Sequence, residues 1–207
     1  MKNQIVAFVF TAFLLVTNTI FASDVYTVDP VHSSVNFKVR HLGVSYVSGK
    51  FDKFEGELSF EGNTLTALSG KADVTSIDTA EPKRDGHLQS DDFFSAAKFP
   101  AIEFKSIKVT QTGNTVAVVG NLTMRDVTKV VELQGEFGGF ADTGKGKKAG
   151  LVLEGEINRK DFGLQFNKLL ESGQAMVGDQ VKITLELEAG MEDKVEVKPE
   201  VKAETKK

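Results

Sequence analysis

Apolar and polar residues alternate with period two along most of the chain between residues 24 and 188. The alternation is clear in residues 35–39, 54–60 and 181–187. Short groups rich in Gly, Asn, Asp and Ser, such as residues 61–63, separate the alternating segments. This pattern is typical of half-buried strands joined by tight turns. It predicts an all-β domain with about eight antiparallel strands and little helix.

One segment favours a barrel over two stacked sheets. Residues Val44 to Phe60 form one long alternating segment that contains Gly49 and Gly56. Glycine within a strand often marks a bulge or a bend. Long bent strands suit a tilted barrel of eight strands, which either fills itself with side chains or holds one small ligand.

Residues 79–95 interrupt the alternation. The segment from Arg84 to Phe94 contains three acids, one Arg and one His, and it ends in the pair Phe93-Phe94. Ser and Asp stand where short helical turns favour capping residues. We therefore expect a short helical insert that covers one end of the barrel.

The two ends of the chain differ from its centre. Residues 1–22 have a positive start at Lys2, an apolar run over 5–16 and a small residue at Ala22, which is typical of an export signal. Residues 189–207 are rich in Glu and Lys without aromatic residues, which predicts a disordered tail. We expect a mature domain over residues 23–188, periplasmic or secreted after cleavage near Ala22.

Composition excludes several classes of function. The chain has a net charge of −4 and no Cys, so it has no thiol nucleophile, no thiolate metal site and no lipid-modified cysteine. A mildly acidic domain without a basic patch is a poor nucleic-acid binder. The apolar run near the start is too short to span a bilayer, so we expect no stable membrane insertion.

Phenylalanine dominates the aromatic residues: the chain has 16 Phe, 2 Tyr and no Trp. Phe adds apolar area without a polar atom that needs a partner, so it suits an apolar cavity. A dry core needs the same residues. Composition alone therefore leaves a hollow and a filled barrel open.

The three histidines do not predict a metal site. His32, His41 and His87 lie in no spacing that places two ligands on one element, and zinc needs three or four ligands that converge. We expect structural roles, with His87 joining Arg84 and Asp85 in a hydrogen-bond network that holds the insert to the barrel. No cofactor is expected.

Catalysis has little support in the sequence. The chain has no nucleophile elbow, phosphate-binding loop or dinucleotide fingerprint. Asp85, Asp91, Asp92 and Asp161 could pair as acid and base, but acids near helix starts usually serve as caps. We expect no enzymatic activity.

Five phrases, in this order, resemble those of a known family: Tyr26-Thr-Val-Asp29-Pro-Val-His32-Ser33 through His41; Val47-Ser-Gly49-Lys-Phe51 through Gly56; Arg84-Asp85-Gly-His87-Leu88 through Phe94 with Phe99-Pro100; Gly120-Asn-Leu122-Thr123 through Lys129; and Arg159-Lys-Asp161-Phe162-Gly163. Together they resemble the YceI-like family of exported bacterial proteins. Ser95 and the pair Arg125-Asp126 depart from the usual pattern, at positions that look peripheral.

The resemblance implies a lipocalin-like barrel that carries or sequesters a polyisoprenoid, an isoprenoid quinone or another long apolar molecule, such as a fatty acid or amide. The candidate lining residues are Phe37, Val39, Phe54, Leu58, Ile102, Phe104, Val116, Val118, Leu122, Phe162 and Phe166. Phe93 and Phe94 are candidates to close one end. The polar candidates near a mouth are His41, Arg84, His87 and Asp161.

Two other functions remain open at this point. One is a stress-related structural protein whose barrel is dry and whose surface binds another protein. The other is an enzyme or metal-dependent factor that uses His87 with Asp85. A homodimer also remains open, since the sequence shows no clear dimer patch.

Overall fold

The computed structural model describes residues 23–191, which form one barrel. Eleven strands are present in this range, and the single α-helix, α1, spans Pro82–Gln89. Short 3₁₀ helices occupy Val74–Ser76 and Arg159–Phe162. The strands are β1 Asp24–Val28, β2 Ser34–His41, β3 Ser45–Phe51, β4 Phe54–Glu61, β5 Thr64–Asp73, β6 Ile77–Asp78, β7 Ala101–Thr112, β8 Thr115–Met124, β9 Val127–Asp142, β10 Lys147–Asn158 and β11 Val177–Met191.

The strands close into an antiparallel ring with eight positions. Strands β4, β5, β7, β8, β9, β10 and β11 follow one another around the barrel, and β1 lies between β4 and β11. Near its start, β11 pairs with β2 instead, with Val181 opposite Val39. The predicted eight-stranded barrel is confirmed.

Two of the eight positions are each built from two short strands. β1 and β2 share one position, and β4 and β3 share the next, with breaks at residues 29–33 and 52–53. The predicted single strand from Val44 to Phe60 is therefore divided. It breaks at Asp52, whose N–H donates to Ser76 O, because this edge turns away from the ladder toward the first 3₁₀ helix.

The break between β1 and β2 is held against β11. Asp29 N–H donates to Glu188 O at 2.8 Å, and Ser33 Oγ bonds both the N–H and the C=O of Glu188. These bonds satisfy the backbone that leaves the ladder at the break.

Helix α1 lies over one end of the barrel, as the insert pattern predicts. Glu81 caps its first turn by accepting from Lys83 N–H, and Pro82 occupies the first helical position, where no N–H is needed. Buried Thr79 anchors the helix: its Oγ1 donates to Asp85 and accepts from Arg84 Nε at 2.7 Å.

The core divides along the barrel axis. Away from α1, inward side chains pack into a solid cluster that includes the rings of Tyr26, Phe60, Phe137 and Phe140, with centroids 5.0–5.4 Å apart. Beneath α1, a second cluster surrounds Phe93 and Phe162. The two ends are called the packed end and the open end below.

Strand β11 continues three residues beyond the domain boundary predicted at 188. Ala189 pairs with Val28 and Ala149, so it belongs to the wall of the barrel. The predicted export signal and residues 192–207 of the predicted tail lie outside the described residues. Between residues 23 and 191, no helix has both the length and the apolar character needed to cross a membrane.

Candidate functional site: an apolar cavity beneath helix α1

An apolar cavity of about 200 Å³ lies between the packed end and α1. Inward side chains of β2, β7, β8 and β11 form its walls, and Leu88 of α1 lies above it. Phe51, Phe93 and Phe94 contribute aromatic surface near the cover. A long hydrocarbon chain is the kind of molecule that such a lining favours.

Burial of the inward residues shows where the barrel is hollow. At the packed end, Leu58, Val116 and Val118 are completely buried. Along the cavity, the inward residues Phe37, Val39 and Ile183 are only half-buried although they point into the barrel. The side chains therefore leave space unfilled in the part of the interior nearer the open end.

Inward glycines help to keep that space open. The ring of Phe37 lies over Gly49, where an added Cβ would stand 2.7 Å from Phe37 Cε1 and 2.8 Å from Thr79 Cγ2. Phe104 lies over Gly120 in the same way, with its Cε2 2.7 Å from an added Cβ. Both rings can lie along the wall because their neighbour has no side chain.

Eight of the candidate residues predicted from sequence surround the cavity: Phe37, Val39, Phe54, Phe93, Phe94, Ile102, Phe104 and Leu122. The structure brings them together from five different segments of the chain. Among them, Phe93 is buried and packs against Phe166 at 4.7 Å between ring centroids, so it also joins the cover to the segment after β10.

Five other apolar candidates lie elsewhere. Leu58, Val116 and Val118 belong to the packed end. Phe162 is buried beside the cavity in the cluster under α1, and Phe166 is partly buried and packs against that cluster. Period-two alternation identifies inward residues but not their position along the barrel axis. The sequence therefore could not separate the strand residues that line the cavity from those at the packed end.

Two of the four polar candidates, His87 and Arg84, hold the cover rather than line the cavity. His87 Nε2 lies 2.9 Å from Asp92 Oδ2, and its ring meets Phe93 and Phe166 edge-on. Arg84 bonds the hydroxyl and the carbonyl of Thr79. The network around the insert therefore joins Arg84 and Asp85 to Thr79. His87, which was expected to join the same network, pairs with Asp92 instead.

The other two polar candidates lie at the edge of the open end. His41 is the last residue of β2 and is half-buried beside Val177 and Ser45. Asp161 is exposed on the 3₁₀ helix that follows β10. Neither lines the cavity.

Arg159 lines the cavity and was not among the predicted site residues. The residue is 4 % exposed, and its guanidinium donates to the carbonyls of Leu164, Phe166, Val177 and Gly178 and to Asp179. Burial lowers the pKa of this guanidinium, and Asp179 opposes that effect. With its donors engaged by the protein, Arg159 fixes the segment over residues 164–178.

Several apolar lining residues were also missed, namely Leu88, Val131, Val181, Ile183 and Leu185. The four on β9 and β11 fall on the inward phase of the alternation, so the pattern could have identified them. Leu88 had no such signal, because α1 is too short and too polar to show an apolar face.

A cluster of four ionisable groups lies at the break between β1 and β2. Asp29, His32 and Glu188 offer donor atoms within 4.8 Å of one another, a spacing that could suit a metal ion. Lys148 Nζ, however, lies 3.4 Å from both carboxylates and supplies a positive charge there. The cluster is thus an ion network that holds the break to β11.

This network shifts two pKa values in opposite directions. The hydrogen bond with His32, together with that from Val31 N–H, holds the pKa of Asp29 at about 2, well below its ordinary value of 3.8. The same bond with Asp29 raises the pKa of His32 above 6.5. Each group favours the charged form of the other.

A closed antiparallel barrel that is packed at one end and hollow under a helical cover belongs to the lipocalin-like class of folds. Comparison with known proteins makes the assignment more specific. The family described as YceI-like domain matches residues 26–189, so the chain belongs to that family, and the resemblance seen in the sequence is confirmed.

Relatives and solved structures agree with this assignment. Protein YceI of Salmonella agona (strain SL483) is 37 % identical over 171 residues, covering 79 % of this chain and 88 % of its own. The crystal structure of a Campylobacter jejuni YceI protein is 29 % identical with a TM-score of 0.65, covering 74 % of this chain and 90 % of that one.

A third comparison concerns a protein with a described ligand class. A polyisoprenoid binding domain from Saccharophagus degradans, implicated in plant cell wall breakdown, has the same fold with a TM-score of 0.61 at 16 % identity. The alignment covers 80 % of this chain and 98 % of that one. At this identity, the likeness concerns the fold alone.

Proposed function

We propose that this protein binds the hydrocarbon part of a long apolar molecule inside its barrel and carries or sequesters it. A polyisoprenoid, an isoprenoid quinone and a fatty acid or amide all fit the chemistry of the lining. The observation that carries the proposal is the apolar cavity of about 200 Å³ beneath α1. The inward side chains around it, such as Val39 and Ile183, are only half-buried, so they present apolar surface that a ligand can cover.

Hydrocarbon burial supplies enough free energy for such binding. Each buried methylene contributes about 0.8 kcal/mol, so ten carbons contribute roughly 8 kcal/mol before the costs of association. Affinity therefore needs no charged contact with a head group. This is consistent with a lining in which the one buried cation, Arg159, already has protein partners.

A fluorescent polyene fatty acid tests the proposal. We expect saturable binding with increased emission, and we expect Ile183→Trp to reduce affinity at least about tenfold because the indole fills space that the ligand needs. Val152→Trp is the matched control, since Val152 lies on the outer face of β10 and is 45 % exposed. Equal affinity of both variants, or no binding by the wild type, would contradict the proposal.

The compartment is a separate part of the proposal. An export signal at residues 1–22 would release the barrel into the periplasm or the medium, where a water-insoluble molecule needs a carrier between membranes. Cell fractionation followed by mass measurement of the intact protein tests this. Recovery of the full-length chain from the cytoplasm alone would contradict export.

A further inference from the structure

Two neighbouring connections at the open end expose large aliphatic side chains. Val44, in the turn between β2 and β3, is 83 % exposed, and Leu169, in the connection before β11, is 69 % exposed. The two connections are joined, because Leu42 N–H donates to Met176 O at 2.8 Å. Residues 42–44 and 168–176 are called the rim surface below.

The rim surface borders the cavity. Val39 and Val177, which line the cavity, lie on β2 and β11 just inside the two connections. Leu164, at the start of the segment that leads to Leu169, also lines it. An apolar molecule that left the cavity toward β2 and β11 would therefore pass next to Val44 and Leu169.

Positive charge surrounds the same surface. Lys38 Nζ and Arg40 Cζ lie 4.6 and 4.7 Å from the ring centroid of Tyr46, and Lys168 is the sequence neighbour of Leu169. Glu171 is the one acid in residues 38–46 and 164–176. Residues 23–191 as a whole carry 19 Lys and Arg against 24 Asp and Glu, so this region is positive on an acidic domain.

The opposite side of the mouth has no such excess. Residues 81–98 carry four acids and three Lys or Arg. Within this segment, Asp91 lies 3.2 Å from Lys98, and Asp92 bonds His87. Exposed aliphatic tips and an excess of basic residues therefore coincide on the β2 and β11 side of the mouth but not on the segment over residues 81–98.

We propose that the rim surface docks on the surface of an anionic phospholipid bilayer. Val44 and Leu169 would enter the interface, and Arg40 and Lys168 would meet the lipid phosphates. Docking in this way places the mouth against the bilayer, so that the ligand passes between membrane and cavity without crossing water. The inference rests on the proposed function, because docking matters here only if the barrel exchanges an apolar ligand with the membrane.

Vesicle sedimentation tests the docking directly. We expect the wild type to sediment with phosphatidylcholine vesicles that contain phosphatidylglycerol, and to sediment less with phosphatidylcholine alone or at high salt. The double variant Val44→Ser/Leu169→Ser should lose about tenfold or more in vesicle affinity, because two apolar side chains no longer leave water. Arg40→Gln/Lys168→Gln should lose the preference for the anionic lipid.

The chain offers a matched control. Val31 and Ile107 are 84 % and 58 % exposed and lie on the β1–β2 break and on β7, away from the rim surface. Val31→Ser/Ile107→Ser should sediment like the wild type. Equal losses of vesicle affinity in Val44→Ser/Leu169→Ser and Val31→Ser/Ile107→Ser would overturn the docking. So would a wild type that does not sediment with anionic vesicles.

Binding of the polyene fatty acid in solution, measured for each variant, separates this inference from the proposed function. Probe binding without vesicle binding overturns the docking alone. Vesicle binding without probe binding overturns the carrier function instead. A dimer that disappears in Val44→Ser/Leu169→Ser, without vesicle binding by the wild type, would assign the rim surface to a second copy of this chain.

Discussion

At the scale of single residues, the cavity depends on where side chains are missing as much as on where they are present. Gly49 and Gly120 point inward, and the rings of Phe37 and Phe104 occupy the space above them. Two large aromatic residues thereby cover wall instead of filling the centre. The sequence shows these glycines plainly, but their use depends on the register between β2 and β3 and between β7 and β8.

Replacing Gly49 with Ala should narrow the cavity. The three atoms nearest the new methyl group all belong to side chains, those of Phe37 and Thr79, so the ring of Phe37 can give way by turning inward. We expect about a tenfold loss of affinity for the polyene fatty acid and about 1 kcal/mol of destabilisation.

Gly150→Ala provides the control for this measurement. Gly150 lies on the outer face of β10, and an added Cβ would meet nothing closer than Gly138 Cα at 4.0 Å. Fluorescence titration should give the wild-type affinity for this variant. A Gly49→Ala protein that also bound normally would show that Phe37 does not limit the cavity.

At the scale of elements, buried polar groups hold the irregular segments of the open end in place. Arg159 binds four carbonyls of residues 164–178, and Thr79 binds two side chains of α1. Much of the backbone before β11 lies outside the barrel ladder, so the Arg159 side chain supplies donors for its carbonyls. The interruption of the alternation predicted where α1 lies, but the bonded partners in both segments are 5–20 residues apart and carry no local pattern.

Arg159→Met should destabilise the protein by about 3 kcal/mol, because several buried carbonyls would lose their donor at once. Urea unfolding measures this loss, and amide exchange should rise in residues 164–178. Arg159→Lys should recover part of the stability, since one ammonium cannot reach every acceptor.

Exposed Arg40 supplies the comparison. It donates to one carbonyl, that of Gly43, and to Tyr46, so Arg40→Met should cost no more than about 1 kcal/mol. Equal effects of Arg159→Met and Arg40→Met on unfolding would refute the anchoring role of Arg159.

The break between β1 and β2 should make stability depend on pH. The pKa of Asp29 is about 2 in the fold against an ordinary 3.8, so its contribution is complete above pH 3.8 and is lost as pH falls toward 2. The raised pKa of His32 acts in the other direction: its contribution is complete below pH 6.5 and is lost as pH rises through the folded pKa.

Urea unfolding of wild type and Asp29→Asn across this range tests the linkage. The difference in free energy of unfolding should be largest between pH 3.8 and 6.5 and should shrink toward both sides. His32→Gln should remove the loss of unfolding free energy above pH 6.5. Part of the loss at acid pH should remain, because Val31 N–H still bonds Asp29. A difference that stays constant with pH would contradict the assignment.

At the scale of the whole molecule, one barrel combines a solid half with a hollow half. Leu58 of β4 is completely buried at the packed end, whereas Leu185 of β11 lines the cavity. Both are inward leucines in the same alternating pattern. The difference between them arises from tertiary packing, in which the cluster of Tyr26, Phe60, Phe137 and Phe140 fills one end only.

Truncation of Leu58 and Leu185 should destabilise the protein by different amounts, because one lies in the packed half and the other lines the cavity. Leu58→Ala should cost about 2–5 kcal/mol, as expected for a fully packed site. Leu185→Ala should cost less than half of that in the ligand-free protein, because part of the side chain already faces empty space. Thermal and urea unfolding of both variants measures this, and equal costs would argue that the barrel is filled throughout.

The sequence allowed the class of fold, the inward faces and the position of the cover to be predicted, because these follow from local periodicity and turn chemistry. It also identified six cavity residues through their phase in the alternation, and Phe93 and Phe94 through the aromatic pair that ends the insert. It could not place Val116 and Val118 in the packed end, nor assign Arg159 to the mouth. Those facts depend on how far along the axis each strand is shifted against its neighbour.

The aromatic cluster at the packed end has a consequence for any molecule that enters between α1 and the wall. A chain that goes in tail first is stopped by the rings around Phe60, so the depth available is the same for short and long chains. Surplus carbons and the polar terminus then stay outside. If the protein carries such a molecule, as proposed, an acceptor would meet the polar end first while the barrel still encloses the inserted carbons.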